Sequence, residues 1–231
     1  YTSHTDRAEG ITDLLYKISR RLMLRRKRLL VEKYASKDFI LDYGCGLGYF
    51  LREMKSSGWK TAGVEPSKAT KVKAERISGT TITESLIANS GFSAITLWHV
   101  LEHTPDPKQV LRDLYSASSA KAKAFIAVPN HNCWDAKKYK TYWAGFDVPR
   151  HLHHFTQKSI TKTAQAAGWG IQSISKLPLD SFYVSLLSEK YKSKKSTVAA
   201  YVSAFSSGLK SNFYASKTGE WSSLIYILTK E

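Results

Sequence analysis

Hydrophobic and polar positions along this chain form two kinds of pattern, short apolar runs and stretches with helical spacing. Seven apolar runs have the length and composition of strands: residues 39–43, 59–64, 80–83, 93–98, 122–128, 169–177 and 222–229. Between most of them, apolar residues recur every three or four positions, which indicates helices. Strands that alternate with helices are typical of a doubly wound sheet that binds ligands at the carboxyl ends of its strands. The pattern predicts an α/β fold with a mostly parallel, seven-stranded sheet.

One amphipathic helix is predicted ahead of the first strand, over residues 10–35. Its apolar positions recur at helical spacing: Ile11, Leu15, Ile18, Leu22 and Leu29. The basic residues lie mostly elsewhere around the helix, so we expect the apolar face to dock against the core; contact with a membrane surface or nucleic acid is the alternative. We therefore divide the chain into an N-terminal helical extension or lid, residues 1–36, and one domain, residues 37–231.

The alternation of strands and helices pauses beyond Pro129. Residues 130–155 combine several aromatic side chains with several histidines, and residues 178–220 have a mainly helical pattern. Long segments that interrupt a regular alternation often form a lid or a substrate wall. We assign both segments to the substrate side of the domain.

Composition narrows the classes of protein to consider. With 231 residues and 42% hydrophobic content, the chain can bury one sizeable core. No apolar run approaches the ~20 residues of a membrane span, and no signal-peptide pattern is recognisable. Cys45 and Cys133 lie far apart in sequence and offer no zinc spacing, which indicates a reducing compartment. We expect a cytoplasmic protein.

The charge balance bears on the partners of the chain. It has 35 Lys and Arg against 19 Asp and Glu, a formal net charge of +16. Such a field favours anionic partners such as nucleic acid, phosphorylated metabolites or acidic lipid surfaces. Because the basic residues are spread along the whole chain, a solvated basic surface is the simpler interpretation. The exception is a basic cluster at residues 20–28.

A glycine-rich turn follows the first predicted strand. Asp42 ends the apolar run, and three glycines come next at alternate positions: Gly44, Gly46 and Gly48. A helical pattern starts immediately afterwards, so the turn brings backbone to a helix N-terminus, where it can approach a ligand closely. Dinucleotide dehydrogenases use the spacing G-x-G-x-x-G, whereas the order here is D-x-G-x-G-x-G. A dehydrogenase is therefore the weaker alternative.

A second acidic residue, Glu65, ends the second predicted strand. In a doubly wound sheet this position lies at the same edge as Asp42, beside the glycine turn. A carboxylate there can accept both hydrogen bonds of a ribose diol. A capping or solvated carboxylate is the alternative, and the glycine turn upstream favours the ribose-binding role.

Three separated motifs together resemble a known family. The glycine turn resembles the first motif of class I S-adenosylmethionine (SAM)-dependent methyltransferases. Residues 97–107, Leu-Trp-His-Val-Leu-Glu-His-Thr-Pro-Asp-Pro, are similar to the V-L-E-H-x-x-D-P segment of the broad group that includes the ubiquinone-biosynthesis O-methyltransferases. Residues 147–156 and 179–183 resemble a bacterial subgroup of that group. The resemblance implies a Rossmann-like methyltransferase fold, with SAM as methyl donor and S-adenosylhomocysteine as product.

The resemblance implies roles for the residues of the glycine turn. Gly44, Gly46 and Gly48, with Cys45 between the first two, would shape a loop around the methionyl part of SAM. Asp42 would anchor this loop and approach the amino group of the cofactor.

Further cofactor contacts are implied at the ends of the next strands. Pro66 would border the adenine. Glu84 and Ser85 lie in the turn where the family usually reads the adenine edge, although this chain has no Asp there. Trp98 and His99 would lie beside the sulfonium, where an aromatic face is favourable for a cation; a place in the core is the alternative for Trp98.

Methyl transfer is an in-line displacement at an activated carbon, so the protein mainly supplies positioning and water exclusion. A hydroxyl acceptor also needs a base, and histidine is the natural candidate. The candidates near the expected active edge are His103, His151, His153 and His154. Arg150 beside them is suited to an acceptor carboxylate or phosphate. For each single histidine, a hydrogen bond to backbone is the alternative role.

The same histidines allow a metal site as an alternative. His99 and His103 are spaced i, i+4 with Glu102 between them, and some RNA 2′-O-methyltransferases hold a metal with Glu and His in this fold. A V-L-E-H turn also occurs throughout metal-free relatives. We predict that the site holds no metal.

The leading hypothesis is an O-methyltransferase that uses SAM to methylate a small-molecule acceptor, which the basic charge allows to be anionic. One alternative is an RNA- or nucleotide-directed methyltransferase, favoured by the net charge and the cluster at residues 20–28; steeply salt-dependent RNA binding would support it. Another is a non-catalytic SAM-binding protein, which turnover with any acceptor would exclude. The sequence leaves open the acceptor, the atom methylated, the oligomeric state and any contribution from upstream of Tyr1.

Overall fold

Seven strands form one mixed sheet in the computed structural model of the chain, which describes residues 11–87, 90–193 and 198–230, with side chains from Ser19 onward. The strands are β1 (Phe39–Tyr43), β2 (Lys60–Val64), β3 (Ile82–Thr83), β4 (Phe92–Trp98), β5 (Ser118–Pro129), β6 (Trp169–Lys176) and β7 (Ser223–Lys230). Their order is β3-β2-β1-β4-β5-β7-β6; β7 runs antiparallel to both neighbours and the other pairs are parallel. The predicted doubly wound, mostly parallel fold is confirmed.

Helices connect the strands and cover the sheet. They are α1 (Ile11–Tyr34), α2 (Tyr49–Ser56), α3 (Lys68–Ser78), α4 (Pro107–Ala117), α5 (Trp134–Tyr139), α6 (Gln157–Gln165), α7 (Asp180–Ser193) and α8 (Val198–Thr218). The start of α4 follows the sequence signal: the side chain of Asp106 accepts a hydrogen bond from the Gln109 N–H at 3.0 Å, and Pro107 is the first helical residue. None of the described helices has both the length and the apolar content needed to cross a membrane.

The central strands are buried on both faces. In β1, the adjacent residues Ile40 and Leu41 are both inaccessible, and in β5 the same holds for Phe125 and Ile126. Such continuous apolar runs are expected where helices cover both sides of a parallel sheet. The polar residues of the site therefore come from the carboxyl ends of these strands and from the segments that follow them.

The N-terminal helix docks on the sheet layer through a face that the sequence analysis did not select. Val31 is fully buried against the core, whereas Leu22 and Leu29 are 61% and 51% exposed, so placing these two leucines on the docking face was wrong. Since α1 carries apolar residues on several sides, spacing alone did not identify the buried one. Residues 1–10, and the side chains of Ile11, Leu15 and Ile18, lie outside the described residues.

Two buried carboxylates hold the segment after β5 against α7 and α8. Asp135 in α5 is inaccessible and accepts hydrogen bonds from the Trp143 indole (2.8 Å), the Ser211 hydroxyl (2.7 Å) and the Ser222 hydroxyl (2.8 Å). Glu189 in α7 accepts one from the Tyr139 hydroxyl at 3.0 Å. Residues 130–155 are therefore an ordered layer fixed by charge-assisted hydrogen bonds.

Candidate active site

All three glycines of the turn between β1 and α2 have positive φ, and their surroundings differ. A Cβ on Gly44 would lie 2.6 Å from a Val100 methyl, and one on Gly48 would lie 2.9 Å from the Ala74 carbonyl oxygen. A Cβ on Gly46, at φ +52°, would meet no described atom within 4 Å. Packing therefore explains two of the glycines, whereas Gly46 faces open space that a ligand can occupy.

Glu65 fixes this turn to the end of β2. One carboxylate oxygen accepts the Gly46 N–H at 3.1 Å, and the other accepts the Ser67 N–H at 3.0 Å. A carboxylate has about four lone-pair sites, so both oxygens keep acceptor capacity for a further ligand. Pro66, exposed, follows directly. The structure thus places Glu65 beside the open face of Gly46.

Asp42 lies beneath the turn, buried between β1 and β4. Its carboxylate accepts a hydrogen bond from the Thr96 hydroxyl at 2.6 Å. Burial raises the pKa of Asp42 to about 7, against the opposing effects of this hydrogen bond and of Lys27. Burial also raises the pKa of the Cys45 thiol, so Cys45 is a neutral packing residue.

Lys27 of α1 reaches the same edge of the sheet, which the sequence analysis did not foresee. Its ammonium lies 4.4 Å from the centre of the Trp98 ring, and the Phe50 ring meets Trp98 edge-on at 5.3 Å. Burial lowers the pKa of Lys27, while the charges of Asp42 and Asp180 act in the opposite direction. Lys27 belongs to the basic cluster at residues 20–28, which had the pattern of a surface feature; only the three-dimensional contacts distinguish it.

The turn after β3 is the outermost part of this edge. Glu84 forms an ion pair with Lys71 at 3.7 Å, and the Ser85 carbonyl accepts a hydrogen bond from the Thr83 hydroxyl at 2.7 Å. Residues 88–89, immediately beyond, lie outside the described residues. The expected adenine contacts of Glu84 and Ser85 stay a prediction.

A cavity of about 390 Å³ lies at the carboxyl ends of β4 and β5, a volume within the usual range for small-molecule sites. Its polar side carries histidines and carboxylates from the V-L-E-H turn, the 147–151 loop and the start of α7: His99, Glu102, His103, Asp147, His151 and Asp180. Its apolar side includes Val184, Leu187 and the tyrosines Tyr183 and Tyr191 of α7. The expected lid segment and α7 thus form its wall.

His99 lies between two carboxylates. Its Nδ1 is 3.4 Å from Glu102 Oε1, and its Nε2 is 3.3 Å from Asp180 Oδ2. Burial lowers the pKa of His99, but the hydrogen bonding and charges of Asp180 and Glu102 outweigh this effect and raise it to about 9. His99 is therefore an imidazolium at neutral pH, and it lines the cavity. Asp180 follows the predicted strand 169–177 and lies in the segment 179–183 that carries part of the resemblance, but sequence reasoning gave it no role in the site.

Glu102 is fully buried, yet its carboxylate is incompletely satisfied. Among the described residues, neither oxygen has a hydrogen-bond partner, and the contact to His99 is an ion pair. Its backbone carbonyl accepts the Leu152 N–H at 2.8 Å, which ties the V-L-E-H turn to the histidine loop. The ion pair with His99 balances the charge, but the oxygens of Glu102 keep unused acceptor capacity, so this carboxylate suits a ligand that donates a hydrogen bond.

Of the remaining candidate residues, His103, His151 and Arg150 line the cavity, whereas His154 does not. The His103 and His151 rings meet edge-on in the cavity, with centroids 4.6 Å apart. His154 is not part of the cavity wall as described; its Nε2 meets the Phe146 carbonyl at 2.9 Å. Arg150 lines the cavity and is paired with Asp147 through Nε (3.1 Å) and Nη2 (2.5 Å).

His151 has the features of a neutral imidazole. Its Nδ1 lies 2.9 Å from the Gly145 carbonyl oxygen, so this nitrogen carries the proton and Nε2 keeps a lone pair. Burial lowers the pKa of His151, although the nearby Glu102 and Asp147 charges and the Gly145 hydrogen bond oppose it. His151 is therefore suited to accept a proton near neutral pH.

Glu102, His103 and His151 also form a potential cation site. One ligand atom from each lies within 4.8 Å of the other two. Carboxylate and imidazole are ligands common to several divalent metals. The sequence-based prediction of a metal-free site stays a prediction.

The fold and this site define a class: a doubly wound α/β domain with a glycine-rich turn after β1 and a cavity at the carboxyl ends of β4 and β5. A methyltransferase-domain family model matches residues 14–174, well over half of the chain. The chain therefore belongs to the methyltransferase-domain family, with the fold of class I SAM-dependent methyltransferases.

Curated relatives include two ubiquinone biosynthesis O-methyltransferases. The one from Chromobacterium violaceum is 28% identical over 157 residues, covering 59% of this chain and 66% of the relative. The one from Escherichia coli is 27% identical over 151 residues, covering 58% of this chain and 60% of the relative. The matches thus span less than two-thirds of these relatives.

Solved structures share the fold at low identity. A SAM-dependent methyltransferase from Archaeoglobus fulgidus superposes with a TM-score of 0.61 at 16% identity, covering 96% of this chain and all of that one. A SAM-dependent methyltransferase from Thermotoga maritima, described as a possible histamine N-methyltransferase, gives 0.60 at 16% identity, covering 95% and 97%. These likenesses show the fold.

Proposed function

We propose that the chain binds SAM at the glycine turn and methylates a hydroxyl of a small molecule in the adjacent cavity. The observation that carries the choice of acceptor is the buried carboxylate of Glu102, which is ion-paired with His99 but accepts no hydrogen bond from the described residues, beside the neutral His151. A hydroxyl can donate a proton to either group, and both groups line the same cavity. The names of the curated O-methyltransferase relatives support the same class of acceptor.

The residues around the turn fit the cofactor. Gly46 presents open space, and the carboxylate of Glu65 beside it has acceptor capacity for a ribose diol. Lys27 supplies a half-buried ammonium for an anionic group, and Trp98 contributes an aromatic wall. SAM, when bound, supplies a methyl group that its sulfonium already activates.

The acceptor side of the cavity supplies a base, His151, and a cation, His99, that balances the nearby carboxylates. His151 Nε2 takes the acceptor proton, while the Gly145 carbonyl holds the ring in one tautomer. His99 is already protonated, so it serves as a fixed cation that holds Glu102 and Asp180 in place. The walls around the cavity exclude water from the reacting atoms.

The charges in the cavity favour a neutral acceptor over a phosphodiester. Three carboxylates line it, from Glu102, Asp147 and Asp180, and Arg150 is already paired with Asp147. The net charge of +16 belongs to the surface as a whole and is not concentrated here. This distribution argues against the RNA-directed alternative.

The test is transfer of a labelled methyl group from SAM to a panel of small phenols, catechols and alcohols, with His151→Gln and His154→Gln as a matched pair. Both histidines contact a backbone carbonyl at 2.9 Å in the same loop, but only His151 lines the cavity. We expect His151→Gln to lower kcat about 10²–10⁴-fold without weakening SAM binding, and His154→Gln to be nearly neutral. Equal effects of the two variants would contradict the assignment of the base. SAM binding without turnover on any acceptor would favour the non-catalytic alternative.

A further inference from the structure

Helix α8 presents its large apolar side chains to solvent and buries its small ones. The positions facing the protein are Ala204, Ser207, Gly208, Ser211 and Ala215. The exposed positions, which we call the α8 apolar face, are Val198, Tyr201, Val202, Phe205, Leu209 and Phe213, with exposures from 51% to 81%. They recur every three or four residues and therefore form one continuous stripe. A contiguous exposed apolar surface of this kind marks an interaction site.

The orientation of α8 is fixed by its packing on the neighbouring helices. A Cβ on Gly208 would lie 2.4 Å from the Phe182 ring of α7, so no larger side chain fits at that contact. Ser211 donates its hydroxyl to the buried Asp135 at 2.7 Å. Rotating the helix to hide Phe205 or Leu209 would break both contacts. The apolar face is thus held outward by the fold.

The charges that accompany this face have one sign. The exposed charged residues of the described parts of α7 and α8 are all lysines: Lys190, Lys192, Lys210 and Lys217. The two carboxylates of the pair, Asp180 and Glu189, are turned inward and engaged with His99 and Tyr139. An apolar stripe flanked by lysines has the composition of a helix that lies in a bilayer interface.

We propose that the α8 apolar face docks on an anionic lipid surface. The apolar side chains would enter the boundary between headgroups and acyl chains, and the flanking lysines would meet the lipid phosphates. A second copy of this chain is the less suitable occupant, because a symmetric contact would bring the same lysines together in a molecule of net charge +16. The proposal rests on α7 and α8 alone and does not depend on methyl transfer.

The experiment is co-sedimentation of the full chain with vesicles of phosphatidylcholine, with and without phosphatidylglycerol. We expect binding to the anionic vesicles, weakened at least about tenfold by Phe205→Ser combined with Leu209→Ser. The matched control is Leu22→Ser combined with Leu29→Ser, because these α1 leucines are 61% and 51% exposed on another basic helix; it should bind like the wild type. Lys210→Glu with Lys217→Glu should reduce binding to anionic vesicles and leave the apolar face intact.

Sedimentation velocity of the same variants tests whether a second copy of the chain, instead of a lipid surface, occupies the α8 apolar face. Absence of wild-type binding to either vesicle would overturn the proposal, as would loss of binding in the α1 variant alone. A wild-type dimer that Phe205→Ser and Leu209→Ser dissociate would identify the face as a contact between copies, and would also overturn it. Because all the substituted side chains are exposed, circular dichroism should show an unchanged fold.

Discussion

The sheet that carries the glycine turn and the pair α7–α8 bury opposite kinds of side chain. Around β1 and α2 the interior consists of large apolar residues such as Ile40, Leu51 and Met54, all inaccessible. The pair α7–α8 instead buries serines, alanines and a glycine, and its large apolar residues line the cavity or face outward. Hydrogen bonds from Tyr139 to Glu189 and from Ser211 to Asp135 hold this pair to α5.

This difference separates a rigid cofactor side from a side adapted to binding. Apolar burial holds the strands and α2 around the glycine turn, and Glu65 both fixes Gly46 and keeps acceptor capacity for a nucleoside. On the other side, hydrogen bonds to buried carboxylates fix the wall, and Tyr183, Val184 and Leu187 line the cavity. Substitutions in the polar layer around Asp135 should therefore lower stability, whereas suitable substitutions in the glycine turn should weaken SAM binding.

The largest effect is expected at Asp135. Asp135→Ala should lower the free energy of unfolding by about 3–5 kcal/mol, because it leaves the Trp143, Ser211 and Ser222 donors unsatisfied in a buried place. Urea unfolding measures it, with the exposed Asp113→Ala as control, expected below about 1 kcal/mol. If both variants lost the same free energy of unfolding, the hydrogen bonds to Asp135 would not be what stabilises residues 130–155.

Two alanine substitutions in the glycine turn should separate packing from ligand binding. Gly44→Ala should lower the free energy of unfolding by about 2–4 kcal/mol, since its Cβ would meet Val100 at 2.6 Å at a positive φ. Gly46→Ala should cost only about 1–2 kcal/mol of stability but weaken SAM about 100-fold, by filling the open space. Thermal unfolding and calorimetry distinguish them; unchanged SAM affinity in Gly46→Ala would refute the placement of the ligand.

A smaller loss is expected from Glu65→Ala, about 1–3 kcal/mol of SAM binding free energy, from the lost charged acceptor. Calorimetric titration of the variant measures it. An effect on turnover with no change in SAM affinity would mean that Glu65 does not bind the ribose.

A further pair of predictions concerns the pH dependence of stability. The pKa of Asp42 rises on folding from its ordinary 3.8 to about 7, so the protonated carboxyl contributes stability below pH 3.8 that is lost as the pH rises through 7. The pKa of His99 rises from 6.5 to about 9, so its contribution is complete below pH 6.5 and is lost as the pH rises through 9.

Asp42→Asn should therefore flatten the fall in unfolding free energy between about pH 4 and 7, and His99→Gln the fall between about pH 7 and 9. Urea unfolding over a pH series checks both. Identical pH profiles for the two variants would contradict the separate environments assigned to these groups.

Local sequence patterns predicted the cofactor side better than the acceptor side. The strand–turn–helix around Gly44–Gly48, the position of Glu65 and the cap at Asp106 depend on neighbouring residues, which a sequence displays. Lys27 and Asp180 reach the site from distant elements, and their burial is decided by packing. Leu22 and Leu29 were misplaced because α1 has apolar residues on several sides. The charge of His99 also depends on a distant residue, since Asp180 and Glu102 raise its pKa to about 9; its expected place beside the sulfonium stays a prediction.

The most direct test of the account is calorimetric titration of the full chain with SAM, S-adenosylhomocysteine and NADH. We expect both adenosyl ligands to bind with dissociation constants on the order of micromolar, and NADH to give no heat. A folded protein that binds neither adenosyl ligand, or that binds NADH instead, would contradict it.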